Sequence, residues 1–144
     1  IYGTVFSIIQ KKLINDFCKK RNLKIISVGY YNKWVKENYL GLNPTTFYNF
    51  VKNSKYVFTS MFHGVMFSTK LSKQFYFSTD PIRENKIKSF INNLKLNDRE
   101  ILDNINEQEI DYDEVNKRID KLKNSSRNFL INNINRELNI HKST

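Results

Sequence analysis

The sequence predicts an α/β domain in which helices flank a parallel sheet in three layers. Three short runs carry the sheet: Lys24–Val28, Tyr56–Thr59 and Gln74–Phe77 are rich in the branched and aromatic residues that suit a buried pleated surface. The segments before and between them have helical spacing instead. Strands that alternate with helices close through right-handed crossovers, which makes the sheet parallel. With 144 residues, 40% hydrophobic and 14% aromatic, the chain is long and apolar enough to bury one core. The expectation is a single domain over 1–144.

Taken in order, Thr4 to about Arg21 reads as an amphipathic helix, with Val5, Ile8, Ile9, Leu13 and Phe17 as its apolar stripe. Lys19 and Lys20 suit the negative end of its dipole, and Asn22 supplies a stop. The strand Lys24–Val28 ends at Gly29. Tyr30 to Leu42 has no period and reads as a loop carrying Tyr30, Tyr31, Trp34 and Tyr39. Asn43-Pro44 is a helix start, and Phe47, Phe50 and Val51 give that helix an apolar face. After the strand Tyr56–Thr59 the pattern breaks at Ser60. It resumes with helical spacing through Phe62, Val65, Met66 and Leu71. Ser78-Thr79-Asp80-Pro81 is a turn cluster after the third strand. Arg83 opens a helix to about Leu94, with Ile87, Phe90, Ile91 and Leu94 facing inward. A last helix runs from about 113 to 138, striped by Val115, Ile119, Leu122, Phe129, Leu130, Ile134 and Leu138.

Charge and composition narrow the partners. The net charge is +10, and residues 1–60 hold ten Lys/Arg against two Asp/Glu, a net +8. That excess suits an anionic partner such as a phosphorylated substrate or a lipid-linked sugar at a membrane surface. No nucleic-acid-binding signature accompanies it, so nucleic acid is not expected. Cys18 is the only cysteine, which excludes a disulfide framework and a cysteine metal site and suits a reducing, cytoplasmic setting. No GxGxxG or GxxxxGK[ST] run follows a strand. No metal is called for. The opening Ile1-Tyr2-Gly3 reads as the start of a piece of a longer protein.

The chemistry-bearing stretch is Thr59 to Ser68. A strand running into a helix puts His63 and Gly64 in the helix's first turn, beyond the carboxyl end of the strand, where open α/β sheets bind ligands. A helix start offers unbonded N–H groups and a positive dipole end to an anion. Gly64 lets a ligand approach the backbone, and an imidazole gives or takes a proton near neutral pH. Parallel strands place the turns at Gly29–Tyr31, Ser60–Gly64 and Ser78–Arg83 on one rim. His63 and Arg83, with Lys73, are expected to converge there.

The residues Asn43 to Arg99 carry a resemblance. Pro44 and Phe47 fit an S-P-x-x-F helix start. Ser60-Met61-Phe62-His63-Gly64-Val65-Met66-Phe67-Ser68 fits D-S-F-H-G-T-x-F-S. Lys73-Gln74-Phe75-Tyr76 fits K-P-F-Y, and Leu94-Lys95-Leu96-Asn97-Asp98-Arg99 fits L-x-L-x-D-R. The stretch resembles the C-terminal half of the polysaccharide pyruvyl transferase family. It departs where Ser60-Met61 stands for D-S and Val65 for Thr, which makes the pocket less polar. The resemblance implies a Rossmann-like domain, similar to one half of a GT-B-type enzyme, with an N-terminal partner domain elsewhere in the protein. It implies transfer of a pyruvyl group from phosphoenolpyruvate, the donor substrate in place of any cofactor, to hydroxyls of a saccharide or lipid-linked saccharide. His63 would be the acid/base and Arg83 an anion clamp; Gly64, Ser60, Ser68 and Lys73 would line the donor site. The setting would be cytoplasmic, with peripheral contact at the inner face of the membrane among the options. Two other readings stand beside it: a GT-B-like glycosyltransferase domain holding a nucleotide sugar through Asp80 or Glu84, and a non-catalytic basic docking module.

Overall fold

The computed structural model describes residues 1–79 and 84–140, the last four of these by backbone alone. It divides into two units, Ile1–Glu109 and Ile110–Thr144. The first is mixed α/β, in the order α1 (Ile8–Lys20), β1 (Ile26–Val28), β2 (Glu37–Tyr39), α2 (Pro44–Asn53), β3 (Tyr56–Thr59), α3 (Phe62–Lys70), β4 (Gln74–Phe77), α4 (Glu84–Leu94) and a 3-10 turn (Asn97–Arg99). The second holds the long helix α5 (Tyr112–Ile140). No described helix is long and apolar enough to cross a membrane.

The strands form two parallel pairs rather than the single three-stranded sheet expected. β1 pairs with β2, Ile26 opposite Glu37, and β3 pairs with β4, Tyr56 opposite Gln74. Residues 1 and 2 hydrogen-bond to both pairs. The Ile1 amine donates to the Ile26 carbonyl at 2.8 Å, and the Ile1 carbonyl accepts from Val28 N–H at 2.9 Å. Tyr2 N–H donates to the Phe58 carbonyl at 2.9 Å, and its own carbonyl accepts from Ser60 N–H at 3.1 Å. Phe77 forms a further parallel bridge with Glu100. Because these pairings are parallel, the strand starts share one rim, here the amino rim, and the strand ends share the other, the carboxyl rim.

β2 lies inside the stretch expected to be loop. Glu37-Asn38-Tyr39 has no apolar alternation, because each residue is only half-buried or exposed. Its place is fixed from a distance. Asn32, itself buried, donates its N–H to Asn38 Oδ1 at 2.7 Å and its side-chain amide to the Gly3 carbonyl at 2.9 Å and to Ser27 Oγ at 2.8 Å. Such satisfied buried amides specify a loop as firmly as apolar contact does.

α1 begins at Ile8, later than expected. Ser7 Oγ accepts from Gln10 N–H and the Gln10 side chain accepts from Ser7 N–H, a capping box. Its buried face is Ile14, Phe17 and Cys18, whereas Ile8 and Ile9 are 86% and 62% exposed. The apolar residues of its first turn therefore form no part of the core. Phe17 meets Tyr56, Phe58 and Tyr76 edge-on, with ring centroids 5.0 to 5.6 Å apart. With Phe6, Ile14, Cys18 and Ile101 they make one core cluster. Each such ring withdrawn from water contributes roughly 1.5–3 kcal/mol.

α2 is as read, with Asn43 capping it through Thr46 N–H at 2.8 Å; α4 is as read from Glu84 on, with Ile87, Ile91 and Leu94 fully buried and Phe90 half-buried, while its expected start at Arg83 lies outside the described residues. α3 is rotated from its expected face. Gly64, Val65, Ser68 and Thr69 are buried, while Met66 is exposed. The helix approaches the sheet through its small residues, which an apolar-only pattern misses. In the second unit, the expected stripe of α5 does not stay covered. Val115 is buried, but Phe129, Leu130 and Ile134 are 68%, 59% and 57% exposed, and the Leu138 side chain lies outside the described residues.

Candidate active site

The carboxyl rim of the first unit is built by the turns that follow the strand ends. The turn after β3 is the most ordered by side chains. Thr59 Oγ1 donates to the Tyr2 carbonyl at 2.7 Å and accepts from Met61 N–H at 3.0 Å. Ser60 is buried, and its Oγ accepts from Val5 N–H at 3.2 Å. These bonds tie the turn to the segment that follows residues 1 and 2, so the start of α3 is held on both sides.

His63 is the second residue of α3 and is exposed. Its neighbour Phe62 sits 6.3 Å away by ring centroids and meets Phe90 of α4 edge-on at 5.9 Å. No side chain among the described residues caps α3, and its first helical bond is Val65 N–H to the Met61 carbonyl at 3.2 Å. The N–H groups of its first turn thus keep the partial positive charge that attracts an anion.

Gly64 is buried with its α-carbon against Thr59 and Tyr2. A Cβ there would stand 2.1 Å from Thr59 Oγ1 and 2.9 Å from Tyr2 Cδ1. The glycine therefore lets helix and strand close on each other. Ser68 lies one turn further along, buried, and donates its hydroxyl to the Gly64 carbonyl at 2.7 Å. Lys73 directly precedes β4, so it stands on the amino rim while His63 stands on the carboxyl rim. Arg83 and Asp80 lie outside the described residues. Glu84 pairs with Lys88, one helical turn on.

Two residues join this rim that the sequence did not single out. Lys86 of α4 holds its ammonium 5.9 Å from the centre of the Phe62 ring. A lysine near a helix start has no local signature, and only the packing of α4 beside α3 brings it there. The Tyr2 ring meets those of Tyr30 and Phe47 at a tilt, with centroids 5.3 Å and 4.6 Å away. Burial, aided by the Tyr30 hydroxyl, pushes the Tyr2 phenol above its ordinary value, so it stays protonated.

A hollow of about 640 Å³ opens between α2 and the strands β1 and β3, and Tyr2 is part of its lining. Ile1, Leu23, Ile25, Phe50 and Tyr56 are among its lining, and none of the six residues named for the site belongs to it. Compared with known proteins, the chain matches no family model, no curated protein and no solved structure.

Proposed function

We propose that the chain is a Rossmann-like, three-layer domain, one half of a GT-B-like enzyme, and that its carboxyl rim transfers a pyruvyl group from phosphoenolpyruvate to sugar hydroxyls in cell-surface polysaccharide synthesis. The fold reading is supported by the order across the hydrogen-bonded strands, β2, β1, residues 1–2, β3, β4, with helices in most of the connections. That order reverses at residues 1–2, beside the turn of His63, and doubly wound sheets bind ligands at such a reversal. The functional reading is carried by one observation. An exposed histidine stands second in a helix that no side chain among the described residues caps, at the carboxyl end of a parallel strand and inside the F-H-G-x-x-F-S run.

The chemistry asks for what this turn offers. One sugar hydroxyl adds to C2 of the donor while C3 takes a proton and becomes a methyl group. The C2–O bond to phosphate breaks, and a second hydroxyl closes the ketal, its proton leaving with the phosphate. His63 takes the first hydroxyl's proton and delivers one to C3. The donor's carboxylate and phosphate are anions, which suit the first-turn N–H groups of α3, the Lys86 ammonium and an Arg83 fork. Ser60 and Ser68 serve by holding the turn and the helix. Met61 and Val65 leave the rim less polar than the family pattern, so donor binding is weak. The work is done in the cytoplasm, where the acceptor is a saccharide or its lipid-linked form.

Turnover separates this from a structural histidine. His63→Ala lowers pyruvyl transfer to a saccharide acceptor by about 100-fold or more, with the melting temperature unchanged because the side chain is exposed. Transfer at the unaltered rate would remove His63 from the chemistry.

A further inference from the structure

The cations of the first unit are not spread evenly over its surface. α1, α2 and α3 all end at the amino rim, and β1, β2 and β3 begin there. Lys19 lies in the last turn of α1, Lys36 precedes β2, Lys52 and Lys55 flank the end of α2, and Lys70 ends α3. All five are exposed, and among the described residues none forms an ion pair. A local cavity brings two of them, Lys19 and Lys36, together independently of topology, with the paired Lys24 between that cavity and the one beside Lys55. One hollow is lined by Lys24 and Lys55, and a neighbouring one of about 460 Å³ by Lys19, Lys24 and Lys36. The carboxylates at this rim are already engaged: Glu37 holds Lys24 at 2.6 Å, and Glu107 holds Arg21 at 2.8 Å and Lys20 at 3.1 Å.

We propose that this amino rim docks on an anionic lipid bilayer, through lysine ammonium groups over lipid phosphates. The inference does not depend on the reaction at the opposite rim. Three features favour a bilayer over nucleic acid. Within the first unit the cations sit at or just beyond the ends of three separate helices and before β2, and so form a broad surface rather than a row along one helix that could enter a groove. The exposed large apolar residues Ile8, Ile9, Tyr31 and Leu40 follow strand ends and so stand at the other rim, while the rings that line the hollows of the basic rim, Trp34, Phe50 and Tyr56, are half-buried and so offer bases less face to stack on. The five unpaired cations are all lysines. Compact, hydrated charges of this kind suit diffuse attraction to a fluid layer of headgroups better than fixed bidentate recognition. The rim with His63 then faces away from the lipid and stays open to solvent.

Vesicle flotation tests this with the chain as it stands. The expected result is binding to vesicles of phosphatidylcholine with phosphatidylglycerol, none to phosphatidylcholine alone, and loss of binding as salt rises. Lys52→Glu with Lys55→Glu weakens the vesicle affinity about tenfold or more, with an unchanged melting curve. A single Lys70→Glu substitution, on a different helix, gives a smaller loss in the same direction. Equal binding to neutral vesicles, or charge reversals without effect, would overturn the proposal. Binding to an RNA duplex at lower concentration than to the anionic vesicles would overturn it too, in favour of a nucleic-acid surface.

Discussion

Gly64 shows how a residue legible in sequence takes its meaning from distant partners. Its place in the F-H-G run marks it for a ligand, yet its α-carbon is occupied by Thr59 and by Tyr2, far upstream. No local pattern tells which atoms arrive there. Gly64→Ala forces a Cβ to 2.1 Å from Thr59 Oγ1 and is expected to lower stability by about 1–3 kcal/mol, read as a shift of the urea midpoint. Arg99 is a similar case. It ends the L-x-L-x-D-R run and is buried, with Nη1 donating to the Gln108 carbonyl at 2.6 Å, Nη2 meeting Asp98 at 2.9 Å, and the guanidinium over the Tyr76 ring. Arg99→Ala is expected to cost about 1.5–3 kcal/mol in the same measurement. Cys18 is buried in the core, and desolvation raises its thiol above the ordinary value. The thiol stays protonated at neutral pH, so iodoacetamide should modify it only after urea is added, as mass spectrometry would record.

At the scale of elements, legibility followed the strength of local signals. Asn43-Pro44 marked α2 because a side-chain cap and a fixed φ are local properties. The apolar pattern of Val5, Ile8 and Ile9 starts α1 too early, because the fold leaves these residues outside and the box Ser7 to Gln10 sets the true start. Ser7→Ala is expected to lower stability by about 1 kcal/mol, seen in thermal unfolding by circular dichroism. β2 was invisible because three residues on a sheet edge carry no period, and their register is set by Asn32 and by β1. The length of α5 was plain from its spacing, but its exposure was not. An apolar stripe does not tell whether anything covers it. With residues 123–136 exposed throughout, the distal half of α5 depends on its own hydrogen bonds, and its amides should exchange with deuterium well before those of β3 and β4.

At the scale of the whole molecule, parallel pairing settles more than any single residue. It places Lys73 and His63 at opposite rims and gathers the helix ends, with their lysines, on one of them. The surface charges also set the response to acid. Lys24 holds the Glu37 carboxyl below its usual value; Arg21, with Lys20, does the same for Glu107 and Lys117 for Glu114. These pairs favour the fold while the carboxylates are charged, so their contribution is present above the ordinary Glu value of about 4.3 and is lost as pH falls through the lowered ones. All are exposed or half-buried, so this acid limb should be shallow and should shrink with added salt.

The account turns on the carboxyl rim being a site for a small anionic donor at the first turn of α3. Titration of the isotope-labelled chain with phosphoenolpyruvate, followed through its amide resonances, tests this most directly. The account predicts saturable shifts at Phe62, His63 and Gly64, reduced by Lys86→Ala and smaller with inorganic phosphate alone. Shifts confined to the amino rim around Lys24 and Lys55, or none at Phe62 to Gly64 at any donor concentration, would contradict it.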